Sequence, residues 1–253
     1  MTVDLAVKKP NWFSRLANPG QFLAWSKAWI LPLSILTALL FAAGLYLALF
    51  DSPPDYQMGE TVRIMYIHVP NAWLSQFVYA VMAAASIGTL VWRHPLADVA
   101  AKSAAPLGAV FTGLALFSGS LWGRPTWGTF WEWDGRMTST LILFLIYLGI
   151  IALWRAFEDQ GRAGRVIAVF TLVGALDIPV VKWSVDWWNT LHQPASISLM
   201  GSEHMPPSML IPLLVMTLAF TALFVTLHIV RIRTEIFRRR AETLERQAAA
   251  SLG

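Results

Sequence analysis

Apolar residues fall into six long runs separated by shorter polar stretches, an alternation on the scale of a bilayer rather than of a soluble core. The runs cover about 29–50, 72–92, 106–121, 138–157, 166–183 and 207–230. Most approach the ~20 residues that cross ~30 Å of hydrocarbon as a helix. The third and fifth are shorter, and each leads into tryptophan-rich sequence that can extend it as interfacial helix. The pattern predicts an all-α polytopic membrane protein with six transmembrane helices. It divides into a basic interfacial segment (1–28), a six-helix membrane domain (29–230) and a basic tail (231–253).

Charge sets the orientation. Of 19 Lys and Arg residues, fifteen lie in the N-terminal segment (Lys8, Lys9, Arg15, Lys27), near Arg93 and Lys102, at Arg155, Arg162 and Arg165, and in the tail from Arg231 to Arg246. The other side keeps Arg63, Arg124, Arg136 and Lys182, so the positive-inside tendency places both termini in the cytoplasm and the poorly charged loops at the outer face. The basic tail reads as a topology determinant touching anionic lipid rather than as a nucleic-acid arm. The N-terminal segment, with Trp12, Phe13, Phe22 and Trp25 among its cations, reads as lying along the membrane. It has no apolar core with a small-residue cleavage site, so the first span is expected to be an uncleaved anchor.

Composition narrows the chemistry. With 56% apolar and 13% charged residues in 253, no large soluble domain fits. Cysteine is absent, which excludes disulfides, thiolate metal sites and the C-x-x-C-H attachment of covalent haem. No P-loop pattern occurs, so ATP hydrolysis by this chain is not expected.

Three loops on the poorly charged side hold nearly all the unusual residues: DSPPDYQMGETVRIMYIHVPNAW, WGRPTWGTFWEWDGR (122–136) and KWSVDWWNTLHQPASISLMGSEHMPPS. The second places Trp122, Trp127, Trp131 and Trp133 among Gly123, Pro125, Gly128 and Gly135, which favour turns or broken helix. It reads as an indole shelf at the membrane surface, and equally as an aromatic anchoring belt. His68 and His192 lie in the loops on either side of it. Two neutral imidazoles can ligate a haem iron axially while indoles cover the apolar ring, although a single interfacial His is ordinarily a packed structural group. His204 is a weaker rival, resembling a loop cap before span six. His94 and His228 fall near the cytoplasmic side, where a structural role is expected.

Arg124 and Arg136 bracket the shelf and match carboxylates such as haem propionates; local pairing with Glu132 or Asp134 is an equal alternative. Asp134 can also order the shelf by accepting backbone or indole hydrogen bonds. Asp177, inside span five, calls for a buried partner such as Lys182 or for satisfaction at a helix break.

The segment WGRPTWGTFWEWDGRMTS resembles the tryptophan-rich WWD signature of haem-handling membrane proteins. Together with MYIHVPNAW and WSVDWWNTLHQP it is similar to the CcmC family of haem exporter proteins of bacterial cytochrome c maturation, over nearly all of residues 25 to 230. The six-span layout fits that family better than the larger haem lyase CcmF. The resemblance implies a bacterial inner-membrane location, with haem b held non-covalently and transiently at the outer, periplasmic face. His68 and His192 would be the axial ligands to its iron, and the platform Trp122, Trp127, Trp131 and Trp133, with Asp134, Arg124 and Arg136, would contact it. It implies delivery to the haem chaperone CcmE, with CcmD and the ATP-binding cassette pair CcmA and CcmB as further partners. The expected role is a transfer scaffold rather than an enzyme. A transporter moving haem across the membrane is the alternative, disfavoured because no inverted repeat or paired broken helices are evident. A structural subunit with an aromatic belt would bind no cofactor.

Overall fold

The computed structural model describes residues 17–157, 159–188, 190–192 and 205–251. Their regular structure is helical, apart from one isolated bridge between Asp55 and Gly59. Helix α1 is Pro19–Tyr46, continued by a π-helical turn, Leu47–Asp51. A 3-10 turn, Glu60–Ile64, leads into α2, Met65–Val91. Then come α3, Ala97–Trp127, and α4, Gly135–Ala156. Next are α5, Gln160–Gly174, α6, Asp177–Trp187, and α7, Pro207–Ser251. Counting α5 and α6 as one interrupted span, six helices are long and apolar enough to cross a membrane. The chain is a multi-pass helical membrane protein.

Helix ends depart from the apolar runs for identifiable reasons. The first helix begins at Pro19 because Asn18 caps it, accepting from the backbone N–H of Gly20 at 2.8 Å and of Gln21 at 3.2 Å, with proline in the first turn where its missing N–H costs nothing. Residues 19–28 are therefore helical and continuous with the helix of the first span. Helix α2 starts well before 72 and passes through Pro70, where the Asn71 side chain donates to the Ile67 carbonyl at 2.7 Å. Helix α3 runs on through Gly123 and Pro125 to Trp127, the extension of span three that the tryptophan-rich sequence allowed, so there is no turn or break over 122–127 and the loop is confined to 128–134. Proline there frees only the Leu121 carbonyl. The helix stops at Gly128, whose left-handed φ of 82° lets its N–H close on the Arg124 carbonyl at 3.1 Å.

Span five breaks at Ala175 and Leu176, and Asp177 opens α6 with Pro179 in its first turn. The expected pairing of Asp177 with Lys182 does not form. One Asp177 carboxylate oxygen is buried without a partner, and Lys182 instead offers its backbone carbonyl to Arg136 at 3.2 Å.

The core lies among α2, α3, α4 and α5, with Phe224 of α7 added. The most extensive helix contact is α2 on α3. It is close because α3 buries small residues at helical spacing, Ala101, Ala104, Ala105, Gly108, Thr112 and Ala115, which lets backbones approach where lipid supplies no hydrophobic drive. At Gly108 a Cβ would sit 2.2 Å from the Tyr147 ring. Tyr147 and Tyr79 are fully buried yet satisfied, donating to the Ser75 carbonyl at 2.8 Å and the Thr171 carbonyl at 3.0 Å.

The two ends of the bundle differ. At the arginine end, Glu235 of α7 accepts from Lys102 (3.0 Å), Arg238 (2.6 Å) and Arg239 (2.9 Å), and Arg239 also reaches Asp98 at 2.7 Å. Helix α7 is unbroken for 45 residues, about 68 Å at ~1.5 Å per residue, so the tail prolongs the sixth span. The other end carries the tryptophans and the two histidines of interest.

Candidate functional site

His68 is in the first turn of α2, and its ring is set by α3. Its Nδ1 lies 3.0 Å from the Ala115 carbonyl and 3.2 Å from the Ser118 hydroxyl, whose own proton goes to the Leu114 carbonyl at 2.6 Å. A carbonyl only accepts, so Nδ1 carries the proton. The approach depends on Gly119: a Cβ there would stand 2.8 Å from His68 Cε1 and 3.2 Å from Nδ1. Trp122, one turn along α3, meets the imidazole edge-on with ring centroids 5.8 Å apart.

His192 is placed by contacts remote in sequence. Asp134 caps α4, accepting the Met137 N–H at 2.7 Å. Its second oxygen accepts from the Thr190 hydroxyl and from His192 Nδ1, the latter at 2.8 Å. The Thr190 oxygen in turn accepts the His192 N–H at 3.1 Å, a local turn that orients the ring. Trp127 packs edge-on against this imidazole with centroids 4.7 Å apart.

Burial lowers the pKa of His192, and Arg136 adds to the effect, while the hydrogen bond and charge of Asp134 oppose it without reversing it. Burial would raise that of Asp134, but the bonds from Thr190, Met137 and His192 outweigh it and hold the carboxyl below its ordinary range. The contact is therefore a neutral imidazole N–H donating to a carboxylate. Neither Nε2 forms a hydrogen bond among the described residues, which leaves a lone pair on each ring.

His68 and His192 line one cavity of about 100 Å³, together with Gln76, Gly119, Arg136 and Thr140. The structure thus brings together two histidines 124 residues apart in the chain. Of the two arginines singled out, Arg136 lines this cavity, and its Nε is buried without an acceptor. Arg124 turns back on its own helix end, donating to the Gly128 carbonyl and lying 5.5 Å from the Phe130 ring centroid. Neither arginine forms an ion pair with Glu132 or Asp134. Trp122 and Trp127 flank the imidazoles, whereas Trp131 and Trp133 pack on each other 5.3 Å apart farther along the loop, Trp133 largely exposed.

Among the other histidines, His228 bonds the Ala100 carbonyl at 2.9 Å and stacks on Phe224, and His94 accepts the Leu96 N–H at 3.3 Å. Both belong to the arginine end as packing groups. His204 lies outside the described residues. Sequence reasoning passed over Thr190 and Gly119. The Thr-x-His spacing of a side-chain turn was available as a signal for the first; Gly119 had none, since its neighbour His68 is far away in sequence.

Six membrane-length helices with a paired-imidazole cavity at one end define a multi-pass membrane protein with a candidate ligand site at that end. The chain belongs to the Heme exporter protein C family, CcmC, whose model matches residues 12–247. It is 63% identical to Heme exporter protein C of Bradyrhizobium diazoefficiens over 94% of this chain and 90% of that one. It is 43% identical to the protein of the same name from Escherichia coli K12, over 82% and 84% of the two chains. A ccmC-like mitochondrial protein of cytochrome c biosynthesis from Marchantia polymorpha is 47% identical over 72% of this chain and 76% of its own.

Proposed function

We propose that this chain binds haem b at the tryptophan end, with His68 and His192 as axial ligands to the iron, and passes it to the haem chaperone CcmE in cytochrome c maturation. The observation that carries the reading is the shared cavity of the two imidazoles. Each has its Nδ1 proton committed to an oxygen and its Nε2 lone pair uncommitted, the state in which histidine ligates a metal. Membership of a haem-exporter family gives the ligand class. The donor set fits it: two neutral nitrogens for iron, indole edges for an apolar macrocycle, and the unpaired Arg136 Nε for a propionate.

Haem is cargo here, and the size of the cavity accords with that. About 100 Å³ is well below the ~300–1,000 Å³ of sites that engulf a small molecule, so most of the macrocycle would remain outside the cavity and accessible to a recipient. The residues supply binding and orientation, and no group positioned for acid–base or nucleophilic chemistry on the ring is invoked. Trp131, Trp133 and Arg124 would extend the platform beyond the cavity. By the distribution of Lys and Arg, the tryptophan end faces the periplasm, both termini face the cytoplasm, and 29–230 forms the membrane domain. CcmD, CcmA and CcmB are the further partners this role implies.

The test is an absorption spectrum of the detergent-purified protein from haem-replete cells. Low-spin haem should be present, should fall sharply in His68→Ala and in His192→Ala, and should persist in His204→Ala. Wild-type protein lacking low-spin haem would overturn the reading.

A further inference from the structure

The two imidazoles are held by unlike partners. His192 donates to a carboxylate that is 7% exposed and fixed by two further donors, the Met137 N–H and the Thr190 hydroxyl. His68 donates to a neutral backbone carbonyl at 3.0 Å, with a hydroxyl oxygen at 3.2 Å that has already given its proton to Leu114. A carboxylate behind a ligating histidine draws the Nδ1 proton toward itself and raises electron density at Nε2; a carbonyl does so far less.

Resting on the bis-histidine reading above, we infer that the two axial bonds are unequal: Asp134 is a positioning residue that makes His192 the stronger donor, and His68 is the ligand that yields first when haem is handed on. In that step the Fe–Nε2 bond of His68 breaks and a bond forms from a nitrogen or oxygen lone pair of the recipient. The iron keeps its oxidation state and coordination number, and no proton moves. The strongly bound His192 on the opposite axial side both retains the haem during the exchange and weakens the bond opposite it. Thr190 supports the asymmetry by holding the carboxylate against His192 from the same loop.

The experiment uses the full-length haem-loaded protein in detergent, with free imidazole as the exogenous donor. His68→Ala, ligated by His192 and imidazole, should retain haem about tenfold better or more than His192→Ala, ligated by His68 and imidazole. Asp134→Asn should raise the haem reduction potential, since a neutral amide stabilises the ferric ion less, and should erase most of that difference. Asp134→Glu should restore part of it. A purely structural role for Asp134 would lower thermal stability without moving the potential. Equal retention by the two histidine variants with Asp134 intact overturns the inference while leaving bis-histidine ligation standing, and needs no Asp134 variant to fold. Absence of low-spin haem from the wild type defeats the underlying reading instead.

Discussion

Replacing Gly119 with Ala is the sharpest probe of how His68 is positioned. The added Cβ would stand 2.8 Å from Cε1 and 3.2 Å from Nδ1 of the ring, so the imidazole must retreat by about 0.6 Å to regain ordinary van der Waals separation. Its freedom to do so is limited by the Ala115 carbonyl and the edge of Trp122. Overpacking of this kind costs about 1–3 kcal/mol, and loss of the Nδ1 bond about 1 kcal/mol. For the fold, the ~1 kcal/mol that alanine gains over glycine inside a helix offsets only part of this, leaving about 1–3 kcal/mol. The haem site has no such offset, because a shifted ring loses its line to the iron. Haem retention should therefore drop about 5- to 150-fold, at 1.4 kcal/mol per decade, while the melting temperature of the ligand-free protein falls only by that remainder. Spectroscopic haem titration in detergent measures the first quantity and a thermal melt the second. Gly113→Ala is the control, since its Cβ would meet Phe144 at an unstrained 3.4 Å. Wild-type retention and an unaltered low-spin spectrum in Gly119→Ala would refute the argument.

Gly108→Ala drives a Cβ into the fully buried Tyr147 ring at 2.2 Å and should lower the melting temperature more than Gly119→Ala, toward the upper end of an overpacking cost of about 1–3 kcal/mol, with no direct effect on the haem site. Glu235→Gln leaves Lys102, Arg238 and Arg239 around a neutral amide; faster tryptic cleavage of the tail and a lower melting temperature are expected, and an unchanged digestion pattern would count against the network. For ligand-free protein, the depressed pKa of Asp134 contributes stability that is present above the unfolded value of 3.8 and lost as pH falls through the lower folded value. Melting temperatures of wild type and Asp134→Asn should therefore differ at pH 7, begin to approach each other only below pH 3.8, and converge below the folded value. Because the chain has no cysteine, Tyr56→Cys should react with a membrane-impermeant maleimide added outside intact cells, and Ser251→Cys only after permeabilisation; the opposite pattern would invert the proposed orientation.

The spans and both cavity histidines were legible because hydropathy and the clustering of tryptophan are local properties of the chain. What escaped was pairwise. Asp134 reads locally as a helix cap, which it is, but its contact with His192 spans 58 residues and no spacing rule announces it. For Trp122 to Trp127 the sequence leaves both a turn or broken helix and an extension of span three open, because glycine and proline break helices in water. At the end of a long helix held by α2, Pro125 costs only one carbonyl partner, and the stop comes at Gly128 instead. Asp177 invited Lys182 by proximity in sequence, yet the helix geometry at the span-five break directs the Lys182 carbonyl to Arg136.

The unbroken α7 carries a constraint of phase. Successive residues turn by about 100° around a helix axis. One residue inserted between Leu213, which packs at the tryptophan end, and Ile232, which packs at the arginine end, would rotate the Glu235 clamp a quarter-turn or more away from Lys102 and Asp98. The span between those anchors can change its side chains freely toward lipid, but it cannot change its length by a single residue without unlocking one end of the bundle or the other.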